Sequence, residues 1–198
     1  MNLPERPKTR QYRMRERAAS TAATRQRIID ATLELYLEQW FDDITLKQIA
    51  ARAGVALQTV VNHFGTKEDV AAAVLEYQAE GRLARPPATP DDVAGAIDIL
   101  IDNYEHVGDA VIRALALEVR RPALRTFLDG GRADHRRWVE ASFPAALTGL
   151  RGAARQRRLD LLACATDVYT WKLLRRDRGL GAAATKKAIR ELVEALHP

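Results

Sequence analysis

The chain has 198 residues, 47% of them hydrophobic and 29% charged, with a formal net charge of +5. That balance describes a globular chain with a real core and excludes a disordered or collagen-like one. It has no run of about 18 apolar residues, no apolar leader at its start and a single cysteine, Cys164, so the sequence predicts a cytoplasmic protein without membrane spans or intrachain disulfides.

The charge is uneven. Residues 1–27 hold eight Lys or Arg against Glu5 and Glu16, a net +6, whereas residues 28–80 hold three against nine acids, a net −6. Residues 1–21 lack apolar periodicity and read as a basic, flexible arm. Beside a DNA-binding head, such an arm can enter the minor groove or lie along phosphates. A first helix is expected over about 22–39, with Ile28, Ala31, Leu35 and Tyr36 on one face.

A second helix is expected over about 45–52. Thr45 and Gln48 form a T-x-x-Q capping box at its start, and Leu46, Ile49 and Ala50 give it an apolar seam. Gly54 sits where a short turn needs positive φ. A third helix follows over about 56–62, with Val55 and Val60 packing it back on the second. Its remaining face is Leu57, Gln58, Thr59, Val61, Asn62 and His63. Two helices joined in this way form a helix-turn-helix, with the second offered to a DNA groove.

That third helix carries no Lys or Arg, so base reading falls to neutral groups. Gln58 and Asn62 can each pair with adenine N6 and N7, His63 can donate to a base or phosphate, and Leu57 and Val61 can touch thymine methyls. Phe64 reads as core. A fourth helix, about 67–84, opens on a Thr66/Asp69 box, where Lys67 and free backbone N–H groups can share a phosphate.

Residues 84–90 contain Pro86, Pro87 and Pro90 and mark a domain joint. Beyond it the periodicity predicts helices from Asp91 or Asp92, over 109–119, from Pro122 to about 146 with an interruption at Gly130-Gly131, over 153–177 and over 181–196. The domains are then an arm at 1–21, a helix-turn-helix domain at 22–84 and a larger helical domain at 85–198. Nine helices and no strands are expected, an all-α protein. Cys164, within an apolar run, reads as a buried small hydrophobe.

Enzymatic patterns are absent. The four histidines, at 63, 106, 135 and 197, have no metal spacing. No phosphate-binding glycine loop or nucleophile elbow occurs. Neither a cofactor nor a catalytic or metal site is expected.

Residues 24–77 resemble the N-terminal domain of the TetR family of bacterial one-component regulators. The resemblance rests on Ile28, Ala31 and Leu35, on Phe41-Asp42-Asp43-Ile44-Thr45, on the Ile49 to Val55 core and on His63, Phe64 and Lys67. A weaker likeness covers residues 167–196. Two positions depart from the family pattern: Trp40 replaces a usual Gly, and Val61 replaces a Tyr that touches a DNA phosphate.

The resemblance implies a repressor that leaves a palindromic operator when a small effector binds. It implies that Thr45 and Thr59 donate to phosphates, and that the effector enters among the helices of the second domain, where an apolar or aromatic molecule could meet Tyr104, Ile112, Leu115, Phe127, Trp138 and Tyr169. It also implies a homodimer built on the last two helices. Val168, Trp171, Leu174, Ile189, Val193 and Leu196 are candidates there, the alternative being that they fill the core of one chain. The competing functional reading, motivated by Trp40 and Val61, is a regulator-derived interaction protein with weak or no operator binding.

Overall fold

The computed structural model describes residues 8–82 and 88–196, and no strand occurs among them. The chain divides into two compact units, residues 1–78 and 79–198. The segment 83–87, with Pro86 and Pro87, lies outside the described residues.

The first unit opens with α1 (Lys8–Glu38). This corrects the expected start near residue 22: residues 8–21 are part of the helix. No Gly or Pro interrupts 8–38, and Arg, Gln, Glu and Ala dominate its first turns; these are strong helix formers that continue a helix without an apolar face. A 3-10 turn (Phe41–Asp43), α2 (Leu46–Ala53), α3 (Leu57–Phe64) and α4 (Lys67–Arg82) follow.

Ile28, Ala31 and Leu35 of α1 meet Ile44, Ile49, Ala50, Ala53, Val60 and Val70 in one core. Each large aliphatic side chain fully buried there contributes about 1.5–3 kcal/mol. Ile29 packs separately on Ala73 and Val74 of α4. Arg52 ties α2 to α1 through Glu38 at 2.7 Å and Glu34 at 3.2 Å, and its hydrogen bond holds the Glu38 carboxyl below the usual value. Trp40 is accommodated without strain. It is extended, at φ −67° and ψ 145°, so the chain leaves α1 without the left-handed residue that a Gly would supply.

The second unit contains α5 (Val93–Leu117), α6 (Pro122–Ser142), α7 (Gly152–Ala165), α8 (Val168–Lys172) and α9 (Ala182–Glu194), with a π-helical turn (Leu173–Asp177) after α8. Asp92 caps α5, accepting from the Gly95 N–H at 2.9 Å. The separate helix expected over 109–119 is the continuation of α5. Gly108 lies within it and does not break it, since an isolated Gly is tolerated in a helix, and the Trp171 ring packs against it. A Cβ at Gly108 would come within 2.5 Å of that ring.

α6 ends at Ser142, with a 3-10 turn over Ala145–Leu147. It runs unbroken through Gly130, where an added Cβ would meet open space. The helix expected over 153–177 divides at Thr166 and Asp167. Buried Thr166 turns its hydroxyl to the Leu162 carbonyl at 2.8 Å and receives the Tyr104 hydroxyl on its own carbonyl at 3.1 Å. Asp167 then caps α8 through the Tyr169 N–H. Cys164 is exposed, not buried, since Leu159 and Leu162 form the inward face of α7.

Trp171 is fully buried, and its indole N–H donates to Glu105 at 2.9 Å. Arg175 binds the same carboxylate at 3.0 Å, and Arg176 lies over the Trp171 ring and pairs with Asp109. Lys186 of α9 bridges Asp98 and Asp102 of α5. No described helix is long and apolar enough to cross a membrane.

Candidate nucleic-acid interface

The site is built by the caps of three short elements. Thr45 is extended. Its hydroxyl accepts from the Gln48 N–H at 3.2 Å, and Gln48 Oε1 accepts from the Thr45 N–H at 2.8 Å. The expected capping box is present and fixes where α2 begins. The Thr45 hydroxyl proton is also spent on Gln48 Oε1. Gly54 closes α2 at φ 64°, ψ 39°, and its N–H reaches the Ala50 and Ala51 carbonyls. Leftward curvature at this one residue turns the chain into α3.

Within α3 only Val60 is buried. Leu57 and Val61, one turn apart, are 46% and 36% exposed. Gln58 and Asn62 are exposed beside them, and Gln58 Nε2 donates to Asn62 Oδ1 at 2.9 Å. Thr59 is half-buried, as is His63, whose ring lies 6.2 Å from Phe64. Phe64 packs on both small cores of the head, as expected. The N-cap of α3 is Ala56, which offers no side-chain cap, so the first N–H groups of α3 are left for solvent or an anion.

Gly65, at φ 83°, ends α3. Thr66 and Asp69 then form the second capping box. Hydrogen bonds from the Thr66 side chain, then its backbone, hold the Asp69 carboxyl below its usual value. Lys67 is more constrained than the sequence indicates. Its ammonium donates to the Phe41 carbonyl at 2.9 Å and the Asp42 carbonyl at 3.4 Å, and stands 4.3 Å from the Phe41 ring centre. It pins the turn before α2 to the start of α4.

The candidate effector residues are only partly brought together. Tyr104 is buried and hydrogen-bonded within the core, Ile112, Leu115 and Trp138 are half-buried against that core, and Tyr169 is 56% exposed. The Phe127 side chain lies outside the described residues. Trp138 Nε1 and Ser142 Oγ, one turn apart on α6, are buried without a hydrogen-bond partner.

Of the candidate dimer residues, Val168, Trp171, Ile189 and Val193 are buried inside the single chain, with Leu174 and Leu196 packed against them. Leu173 and Leu192, on the same elements, are exposed apolar side chains that were not among the dimer candidates, and Tyr169, an effector candidate, is exposed beside Leu173. The i, i+4 spacing of Tyr169 and Leu173 was the available signal.

A small helical head that caps two crossed helices and exposes the neutral outer face of the second is a helix-turn-helix DNA-binding unit. The family model described as bacterial regulatory proteins of the tetR family matches residues 28–74. Over 136 residues the chain is 35% identical to the transcriptional regulator SrpR of Pseudomonas putida, covering 65% of this chain and 58% of that one. It thus spans less than two thirds of that regulator. It is also 35% identical over 136 residues to the uncharacterized regulator TtgW of Pseudomonas putida, covering 92% of it. A transcriptional repressor of Streptomyces coelicolor is 30% identical over 101 residues, 51% of this chain and 52% of that one.

The fold matches a TetR transcription regulator of Haloarcula marismortui with a TM-score of 0.65 at 17% identity, over 88% of this chain and 98% of that one. The chain belongs to the tetR family of bacterial regulatory proteins, and its relatives are named transcriptional regulators.

Proposed function

We propose that the protein is a cytoplasmic repressor that binds a near-palindromic operator as a homodimer and is released by a small apolar or aromatic effector. The observation that carries the operator reading is the exposed amide pair Gln58 and Asn62 on α3, flanked by outward Leu57 and Val61. Amides read adenine edges, and apolar side chains meet thymine methyls. His63 and Thr59 adjoin that face and donate to the backbone beside it.

Thr45 and Lys67 act mainly by holding the reading helix in place. Two of the three Lys67 N–H groups serve carbonyls, which leaves one for a phosphate at the start of α4. A single head reads few base pairs, so two heads about 34–36 Å apart on an inverted repeat supply the selectivity. Repression is favoured by the name of the Streptomyces coelicolor relative.

For the effector, Ile112, Leu115 and Trp138 offer apolar contact, and the unpartnered Trp138 N–H and Ser142 hydroxyl offer polar anchors. A buried polar group without a partner costs about 1–3 kcal/mol, and a ligand that satisfies it recovers part of that. Such a ligand releases DNA only if it prefers the non-binding state.

The test is a selection of purified protein on random duplex DNA at two salt concentrations. Recovery of an inverted repeat that persists at the higher salt is the expected result. Enrichment of no sequence, with binding lost as salt rises, would overturn the operator reading in favour of a protein-interaction role.

A further inference from the structure

We propose that the N-terminal turns of α1, residues 8–24, form a second DNA-contact surface that lies along the phosphate backbone beyond the groove occupied by α3. The inference rests on the operator reading for its setting and on separate observations for its content.

The head itself is poor in available cations. Residues 28–80 hold only Lys47, Arg52 and Lys67 against nine acids. Arg52 is paired with Glu34 and Glu38. The Lys67 ammonium is shared between two carbonyls. Yet duplex DNA carries a dense array of phosphates, and neutralising them supplies most of non-specific affinity. The missing charge is in α1: Lys8, Arg10, Arg13, Arg15, Arg17, Arg25 and Arg27 stand against Glu16 alone between residues 8 and 27.

Geometry directs that charge. Arg25 lies over the Phe64 ring at 5.3 Å, so α1 passes the C-terminal end of α3. At about 1.5 Å per residue, positions 17 to 10 lie about 12 to 22 Å farther along the helix. The major groove is only about 12 Å wide, so those positions extend past the groove that α3 would fill. Arg10, Arg13 and Arg17 fall at i, i+3 and i+7, one face of the helix. Residues 14–23 are all exposed.

Because the segment is helical, it meets DNA differently from an extended arm. A helix with its side chains is about 10–12 Å across, against about 6 Å for the minor groove. It therefore lies on phosphates and does not enter the groove. Phosphate contacts add affinity without sequence preference.

The native chain is compared with R10Q/R13Q/R17Q and with R10K/R13K/R17K, which keeps the charge. Affinity is measured across a salt series on the selected duplex and on a scrambled duplex of equal length. Matching far-ultraviolet circular dichroism shows that all three proteins fold alike.

The expected result for the Gln variant is a loss of about tenfold or more on both duplexes, with a salt slope lower by about 0.9 for each phosphate contact removed. The ratio between the duplexes stays as in the native protein, and the Lys variant keeps the native slope. A Gln variant with the native slope would overturn the proposal while leaving groove reading by α3 intact. A gain in affinity from A·T-rich flanks, lost in the Gln variant, would also overturn it, since that marks an unwound arm in the minor groove. Equal native binding to selected and scrambled duplexes would defeat the operator reading, and the slopes would still decide the role of α1.

Discussion

Gln58 and Asn62 share a hydrogen bond at 2.9 Å, and this makes them one reading unit. Asn62 Oδ1 gives one lone pair to Gln58, which leaves Asn62 Nδ2 without a part in that bond. A well-placed amide discriminates its base by about 1–3 kcal/mol. Gln58→Ala and Asn62→Ala are each expected to lose selectivity of that order, and the double variant less than their sum, because each single change also frees the other side chain. Titration of the operator and of single-base variants with all four proteins checks this, and strictly additive losses would mean the two amides act separately. Gly54 offers a cleaner case of backbone cost. An added Cβ meets nothing within 4 Å, yet φ is 64°. Gly54→Ala is expected to lower stability by about 1 kcal/mol through the left-handed conformation alone, read as a shift of the denaturant midpoint. These residue-scale features were open to the sequence, because caps and turn glycines act over three or four residues. The posture of Lys67 was hidden, because its carbonyl partners lie 25 and 26 residues away.

At the scale of elements, local rules reach only as far as local causes. The starts of α2 and α4 follow from capping boxes and were legible, and α3 is set off by the turn glycines Gly54 and Gly65. The role of Gly108 within α5 was not legible, because it makes room for the Trp171 ring 63 positions on. At the break, the Thr166 carbonyl likewise has a distant partner, the Tyr104 hydroxyl. The α5–α8 contact carries a pH signature. Burial raises the Glu105 carboxyl, but hydrogen bonds from Arg175 and Trp171 outweigh it, and the net shift is downward. A carboxylate lowered on folding stabilises fully above its unfolded value of about 4.3, and that contribution is lost as pH falls through the folded value. Between about pH 6 and about pH 3 the native protein should lose more urea resistance than Glu105→Gln, which keeps an acceptor for Trp171 but does not titrate. Equal losses would remove Glu105 as a source of acid sensitivity. Gly108→Ala probes the same contact by volume, since its Cβ would come within 2.5 Å of the fully buried Trp171 ring. Overpacking of this kind costs about 1–3 kcal/mol, more than the loss expected at Gly54.

For the whole molecule, the residues that fill one chain must be separated from those that could join two. The sequence pointed to α8 and α9 but not to their sides, since both faces carry apolar residues. Val168, Trp171, Ile189 and Val193 are spent inside the second unit. Truncating them opens cavities, about 3–5 kcal/mol for Trp to Ala, so they report folding and not assembly. Leu173 and Leu192 remain 54% and 46% exposed, on neighbouring elements that touch each other. Apolar side chains left in water there are what a second copy would cover. The pair Leu173→Glu and Leu192→Glu would place two carboxylates per chain in such an interface. Burying an unpaired charge costs several kcal/mol, enough to dissociate a dimer while the monomer core is untouched. Sedimentation should show a folded monomer with a thermal midpoint close to that of the separated native chain. Operator affinity should fall toward that of one head, while Gln58 and Asn62 still read their half-site. A variant that stays dimeric would move the interface off this surface. A variant that becomes monomeric yet binds the full operator unchanged would mean that α3 needs no partner to select its site.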